Sequence, residues 1–258
     1  MSDVGRAHAR VLFATMSGSD YNGSGMKVLV TGSTGFLGAN LVEALSAAEH
    51  EVYAMHRASS RLDALEGLTY VPVVGNVLDP ASLVPALEGI DWVFHVAAVS
   101  DYWRQRSTTQ LYRVNVEGTR NVLAAALSAG VRRVVFTSSV AALGIPQNGS
   151  TVPLDESAIF NVPGERFPYG HSKHLAEKVA REFVARGLQV IIVNPTVVLG
   201  PKDLNLISGS IIREVHRFRT PFFPPGGTNY VDVADVAAGH IAAAEQGRPG
   251  ERYILAGH

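Results

Sequence analysis

The run Met26-Lys27-Val28-Leu29-Val30-Thr31-Gly32-Ser33-Thr34-Gly35-Phe36-Leu37-Gly38 constrains this chain more than any other stretch. Val28 to Val30 is apolar and β-branched, the pattern of a strand buried on both faces. Glycines follow at intervals of three, at Gly32, Gly35 and Gly38. From Phe36 the pattern turns helical, with Leu37, Leu41, Val42 and Leu45 on one face. Strand, glycine turn and helix in that order predict a dinucleotide site. The first glycine permits a tight turn, the second lets backbone approach a pyrophosphate, and the third lets helix and strand pack closely. The helix N-terminus then receives the negative charge.

Strand-like and helix-like segments alternate through the rest of the chain. Residues 51–56, 68–74, 91–96, 132–137, 188–193 and 252–255 read as further strands, and 108–129 and 167–186 as long helices. That alternation predicts a parallel sheet with helices on both faces. Two stretches break it. Residues 144–168 form a loop rich in Pro, Gly and Asn. Residues 200–229 hold a helix over 204–218 and then Pro221-Phe222-Phe223-Pro224-Pro225-Gly226-Gly227. Both follow C-terminal strand ends, where open α/β sheets bind ligands, so both read as substrate-side insertions.

Length and composition bound the function classes. The 258 residues suit one large domain or two small ones, and 47% are hydrophobic, which supports a sizeable core. The net charge of -1 argues against a nucleic-acid surface. The absence of cysteine excludes disulfides, thiolate metal sites and thiol nucleophiles. No apolar run is long enough to span a membrane, and the expectation is a cytoplasmic protein without a metal. In residues 1–25, Arg6 and Arg10 precede an apolar patch too short for a signal peptide, and Ser/Gly-rich segments follow. These residues are expected to be a disordered leader, with 26–258 as the folded domain.

The end of the second strand selects the cofactor. An acid there would bind the ribose hydroxyls of NAD and repel a 2′-phosphate. This chain instead has Met55-His56-Arg57-Ala58-Ser59-Ser60-Arg61, with no acid between Val52 and Leu62. Arg57 can take a 2′-phosphate in a forked contact, and Ser59, Ser60 and Arg61 can add donors. NADP(H) is therefore expected in preference to NAD(H).

The chemistry is expected at Tyr169-Gly170-His171-Ser172-Lys173. A spacing of four puts Tyr169 and Lys173 one turn apart on one helix face. A free tyrosine has a pKa of about 10, and lowering it by ~3 units takes about 4 kcal/mol. One ammonium ~4 Å away, at an effective dielectric of ~20, supplies about that much. Thr137-Ser138-Ser139 closes the fifth strand on the same crevice, where a hydroxyl can donate to a substrate carbonyl oxygen.

These stretches together resemble the extended short-chain dehydrogenases/reductases. The resemblance runs from Met26 to Ala256. It is carried by Thr31 to Gly38, Val93-Phe94-His95-Val96-Ala97-Ala98, Asn115-Val116-Glu117-Gly118-Thr119, Thr137-Ser138-Ser139 and Tyr169 to Lys173. Asn194-Pro195-Thr196-Val197-Val198-Leu199-Gly200-Pro201 and Tyr230-Val231-Asp232-Val233-Ala234-Asp235-Val236-Ala237 match as well. The fold it implies is a Rossmann-type, doubly wound parallel α/β sheet of about seven strands. The site it implies has Tyr169 as acid/base, Lys173 on the nicotinamide ribose and Ser139 on the carbonyl. Thr34, Phe36 and Leu37 would join the three glycines in the cofactor turn. Ala97 and Ala98 would line the cofactor through backbone, Asn115 would support the lysine region, and Pro195 and Val198 would wall the nicotinamide. Asn76 and Val77 stand where relatives often carry an Asp that contacts adenine. Relatives usually continue past a strand like 252–255, so a small, incomplete C-terminal substrate region is expected. Similar proteins pair helices like 108–129 and 167–186 across a two-fold axis, which implies a four-helix homodimer.

Among the family's reactions, the segment 195–201 looks most like the dihydroflavonol-reductase and 3β-hydroxysteroid-dehydrogenase branch. The expected activity is hydride transfer between NADP(H) and a carbonyl or secondary alcohol of a small molecule. Tyr102, Trp103, Phe222 and Phe223 would supply an apolar substrate wall. A nucleotide-sugar epimerase or dehydratase is the alternative, but Val140-Ala141-Ala142 offers no acid after the catalytic hydroxyl and Val197 replaces the epimerases' Asn. A cofactor-sensing module without turnover is the other alternative.

Overall fold

The computed structural model of the protein describes residues 25–100, 108–146, 152–206, 208–218 and 227–257. Its centre is a parallel sheet of β1 (Lys27–Thr31), β2 (Glu51–His56), β3 (Val71–Val74), β4 (Trp92–His95), β5 (Arg133–Thr137), β6 (Val190–Pro195) and β9 (Arg252–Leu255). The spatial order is β3-β2-β1-β4-β5-β6-β9. The chain winds outward from β1 in one direction, then returns to β4 and winds in the other. The reversal between β1 and β4 opens a crevice at their C-terminal ends, the place where such sheets take ligands.

Period-two alternation divides the core. Val28 and Val30 point to one face with Phe94, Val135, Ile191 and Val193, and are covered by α1 (Phe36–Ala47) and α7 (Val233–Gln246). Leu29, Val93, Val134, Phe136 and Ile192 point to the other. That face is covered by α2 (Pro80–Ala86), α4 (Thr119–Ser128) and α5 (Pro168–Ala185). Both faces are buried, which is why the strands read as unbroken apolar runs. Among the described residues no helix is long and apolar enough to cross a membrane.

The structure alters several expected elements. The helix expected over 108–129 is α3 (Thr108–Tyr112), a π-turn at Arg113–Gly118, and then α4. The strand expected over 68–74 begins only at Val71 and is an edge strand, which tolerates Pro72. The helix expected from residue 204 is α6 (Gly209–Phe218). Lys202 and Leu206 have φ of 69° and 49°, which no helix accepts. Asp203 Oδ2 instead accepts from the N–H groups of Ser208 and Gly209 at 3.0 and 2.9 Å, fixing the helix start.

α2, α7 and a second, two-stranded sheet were not anticipated. That sheet pairs β7 (Val197–Leu199) with β8 (Tyr230–Asp232) in parallel, Val198 opposite Val231. It joins the two ends of the 200–229 insertion beside the crevice. Asn229 locks the junction, accepting from Thr196 Oγ1 at 2.9 Å and donating to the Gly257 carbonyl at 2.8 Å. The base of the 144–168 loop is closed in the same manner. Asn161 accepts from the Ile145 N–H at 3.0 Å and donates to the Ile145 carbonyl at 2.8 Å. Tyr102, Trp103, Phe222, Phe223 and residues 1–24 lie outside the described residues.

Candidate active site

The glycine turn is built as its spacing implies. Gly32 has φ +69°, and a Cβ there would stand 2.7 Å from the Ala97 Cα, so β1 and the segment after β4 approach closely only with glycine. A Cβ on Gly38 would stand 2.1 Å from the Gly32 carbonyl oxygen. Gly35 caps α1 in an extended conformation with no side-chain hydrogen bond. No N-cap side chain therefore covers the first N–H groups of α1, at Phe36 and Leu37, and Thr34 is half-buried beside them. Uncapped N–H groups at the positive end of a helix dipole suit a diphosphate. Ser33 Oγ donates to the Met55 carbonyl at 2.9 Å and ties this turn to β2.

At the end of β2, Arg57 is exposed and has no ion pair among the described residues. Arg61, expected to add donors beside it, is instead paired with Asp63. At the end of β3, Asn76 Oδ1 accepts from the Leu78 N–H at 3.0 Å, and Val77 is buried with its carbonyl accepting from Asn121 Nδ2 at 2.9 Å. Ala97 and Ala98 follow β4 half-buried, Pro195 closes β6 and Val198 lies on β7. Residues at the C-terminal ends of β1, β2, β3, β4 and β6 thus lie along one end of the sheet.

His95, at the end of β4, is completely buried and stacks on Phe136 at 5.7 Å. The hydroxyl of Thr119 donates to the Asn115 carbonyl at 2.7 Å, so its oxygen must accept from His95 Nε2 at 3.0 Å. His95 Nδ1 is then the bare nitrogen, accepting from the Thr31 hydroxyl at 2.8 Å. Thr31 Oγ1 in turn accepts from the Ala97 N–H at 3.2 Å. Burial, and then the charge of Lys173, push the imidazole down to about 3, so it is neutral at ordinary pH. Asn115 sits on the π-turn and carries the chain of contacts onward. It accepts from the Val99 N–H at 2.8 Å and donates to Ser172 Oγ at 3.0 Å. Ser172 donates to the Tyr169 carbonyl at 2.7 Å. Asn115 thereby reaches the first turn of α5 through Ser172. A π-turn at such a position is a frequent mark of function.

Tyr169 and Lys173 lie one turn apart on α5. A Cβ on Gly170 would stand 2.5 Å from the Ala141 carbonyl oxygen, so this turn of α5 presses on the short turn that follows Ser139. Tyr169 is half-buried, its ring 6.5 Å from that of Phe167. Lys173 is buried, and its ammonium donates to the Thr137 carbonyl at 2.8 Å and lies 5.2 Å from the Phe136 ring centre. Burial pushes Lys173 down to about 8, with Glu177 acting in the opposite direction.

The two candidate serines separate clearly. Ser138 donates its hydroxyl to Glu177 Oε1 at 2.6 Å inside the protein. Ser139 is half-buried, its Oγ accepts from the Ala141 N–H at 3.2 Å, and its hydroxyl proton remains available to a ligand. Beneath them lie residues that the sequence reading did not single out. Glu177, Asn194, His240 and Arg252 are all buried. Glu177 continues the spacing of four from Tyr169 and Lys173, the one signal that pointed to it. Beside Phe167 a cavity of about 230 Å³ is lined by Ile145, Asn161, Val162, Pro163 and Arg166. Among the described residues no group of His, Asp and Glu is arranged to hold a metal ion.

A doubly wound parallel sheet with a glycine turn, a Tyr-Lys helix and a hydroxyl at the fifth strand defines a dinucleotide-binding α/β protein. Comparison with known proteins makes this specific. The chain belongs to the NAD dependent epimerase/dehydratase family, whose model matches residues 28–256. It is 43% identical over 236 residues to a Synechocystis protein bearing the name dihydroflavonol 4-reductase, covering 89% of this chain and 67% of that one. It is 34% identical over 251 residues to cinnamoyl-CoA reductase 1 of Oryza sativa, covering 92% of this chain and 72% of that one. Among solved structures it resembles a double mutant of DesIV, a dTDP-glucose 4,6-dehydratase from Streptomyces venezuelae with NAD and DAU bound. The TM-score is 0.77 at 28% identity, covering 89% of this chain and 75% of that one. Both of these sequence relatives carry reductase names, and the extended short-chain resemblance stands.

Proposed function

We propose that this chain is an NADP(H)-dependent oxidoreductase of a carbonyl or secondary alcohol, working through Ser139, Tyr169 and Lys173. The observation that carries the reading is the buried Lys173 ammonium, fixed on the Thr137 carbonyl one helical turn from Tyr169 and beside Ser139. The uncapped start of α1 suits the pyrophosphate, the relative with NAD bound supports a nicotinamide dinucleotide, and exposed Arg57 favours one with a 2′-phosphate. When bound, that cofactor supplies or receives a hydride. The chain's own residues manage the oxygen. Ser139 donates to the carbonyl oxygen as negative charge builds there, and Tyr169 delivers the proton. Lys173 holds the ribose and favours the tyrosinate that the reverse reaction requires.

The NAD-bound dehydratase relative favours a second reading, elimination on a nucleotide sugar. Val140-Ala141-Ala142, the short turn directly after Ser139, offers no acid or base for it. Oxidation of NADPH followed at 340 nm against a panel of ketones and aldehydes, with and without Tyr169→Phe, tests the proposal. Turnover that Tyr169→Phe abolishes, with NADPH binding unchanged, is expected. Near-normal turnover in the variant would refute the site. Turnover of nucleotide sugars alone would favour the second reading, and none at all would leave a binding module.

A further inference from the structure

Glu177 lies deep beneath the candidate site and joins Ser138, Asn194 and Arg252. Its side chain is completely buried on α5, one turn beyond Lys173 on the same face. Oε1 accepts from Ser138 Oγ at 2.6 Å and from Asn194 Nδ2 at 2.8 Å. The same Asn194 amide donates to the Ser139 carbonyl at 2.9 Å. Oε2 accepts from the Nε and the terminal nitrogen of Arg252, each at 2.7 Å. Arg252, on β9, also donates to the carbonyls of Glu156 and Ala158 at 3.3 and 2.7 Å, so the pair reaches the substrate-side loop. We propose that Glu177 is a positioning residue of this site. It fixes the backbone of Ser139 through Asn194 and places a carboxylate one turn beyond Lys173 on the same face of α5, without touching substrate.

A buried carboxylate stays ionised only when paired and hydrogen-bonded, and Arg252, Ser138, Asn194 and Arg181, whose terminal nitrogen lies 3.5 Å from Oε2, provide this. Burial works against the Lys173 ammonium, and Glu177 is the group that works for it. The alternative is a purely structural Glu-Arg pair, which would hold the fold together and leave the titration of Lys173 alone.

The inference rests on the proposed contact of Lys173 with the nicotinamide ribose, and the experiment separates the two. NADPH dissociation constants are measured by fluorescence titration of the full chain from pH 7 to 10. The wild type, Glu177→Gln and Glu177→Asp are compared, each with its melting temperature. The wild type is expected to lose affinity with a midpoint near pH 8. In Glu177→Gln the midpoint moves down by about half a unit or more, while Glu177→Asp, which keeps the charge, retains it. Should Glu177→Gln fail to fold, the double variant Glu177→Gln/Arg252→Gln removes both buried charges together, and a downward shift smaller than that of Glu177→Gln is expected, because loss of the Arg252 charge acts in the opposite direction. Uniform weakening with an unmoved midpoint overturns the positioning role and leaves the function standing. A wild type with no midpoint in this range overturns the role of Lys173 and the inference with it.

Discussion

Replacing His95 by leucine should flatten the acid limb of the stability curve. His95 is completely buried, donates from Nε2 to Thr119 and accepts at Nδ1 from Thr31. Its folded pKa is pushed down to about 3 from 6.5, chiefly by burial. In the unfolded chain it takes a proton below about 6.5, whereas in the folded protein it resists until about 3. The unfolded state therefore binds more protons across that window, and stability falls as pH falls through it. The gap of about 3.5 units amounts to about 5 kcal/mol over the whole window, and its slope is at most ~1.4 kcal/mol per pH unit. At pH 7 the variant should lose about 1–3 kcal/mol, because the Thr31 hydroxyl loses its acceptor. Between pH 6 and 4, however, its curve should be shallower than the wild type's by about 1.4 kcal/mol per unit. Other titrating groups, including buried His240, contribute to both curves and cancel in the difference. Urea unfolding at half-unit pH steps measures it. Parallel curves would show that His95 is not the neutral, desolvated imidazole described above.

Lys173 is shifted in the same direction as His95: its folded pKa is about 8 against 10.5. The unfolded chain again binds more protons between these values, so wild-type stability should gain about 3 kcal/mol on going from pH 8 to 10.5, and Lys173→Met should lack that gain in urea unfolding. Gly38→Ala places a methyl group 2.1 Å from the Gly32 carbonyl oxygen, against backbone that cannot yield. It should cost about 1–3 kcal/mol in unfolding and weaken NADPH binding in titration. Arg57→Ala should weaken NADPH at least tenfold, about 1.4 kcal/mol, and leave NADH almost unchanged. Equal weakening of the two cofactors would show that Arg57 does not read the phosphate.

The sequence by itself determined the features that depend on neighbours in the chain. The glycine spacing at 32, 35 and 38, the apolar strands and the four-residue step from Tyr169 to Lys173 are local, and they appear in the structure as read except that the strand over 68–74 begins only at Val71. The winding order was also accessible, because alternating strands and helices leave few other parallel arrangements. Two helices that went unread carried local signals all the same. Asp79 and Asp232 cap α2 and α7, each accepting from the N–H two residues on. Tertiary structure alone decided the rest. The pairing of β7 with β8 joins three-residue segments about thirty residues apart, too short for any period to show. The tautomer of His95 depends on a threonine from α4 and one from β1, and the burial of the Ser138 hydroxyl on Glu177 depends on a partner from α5. A buried polar group finds its partners across the fold, at separations that sequence spacing does not encode.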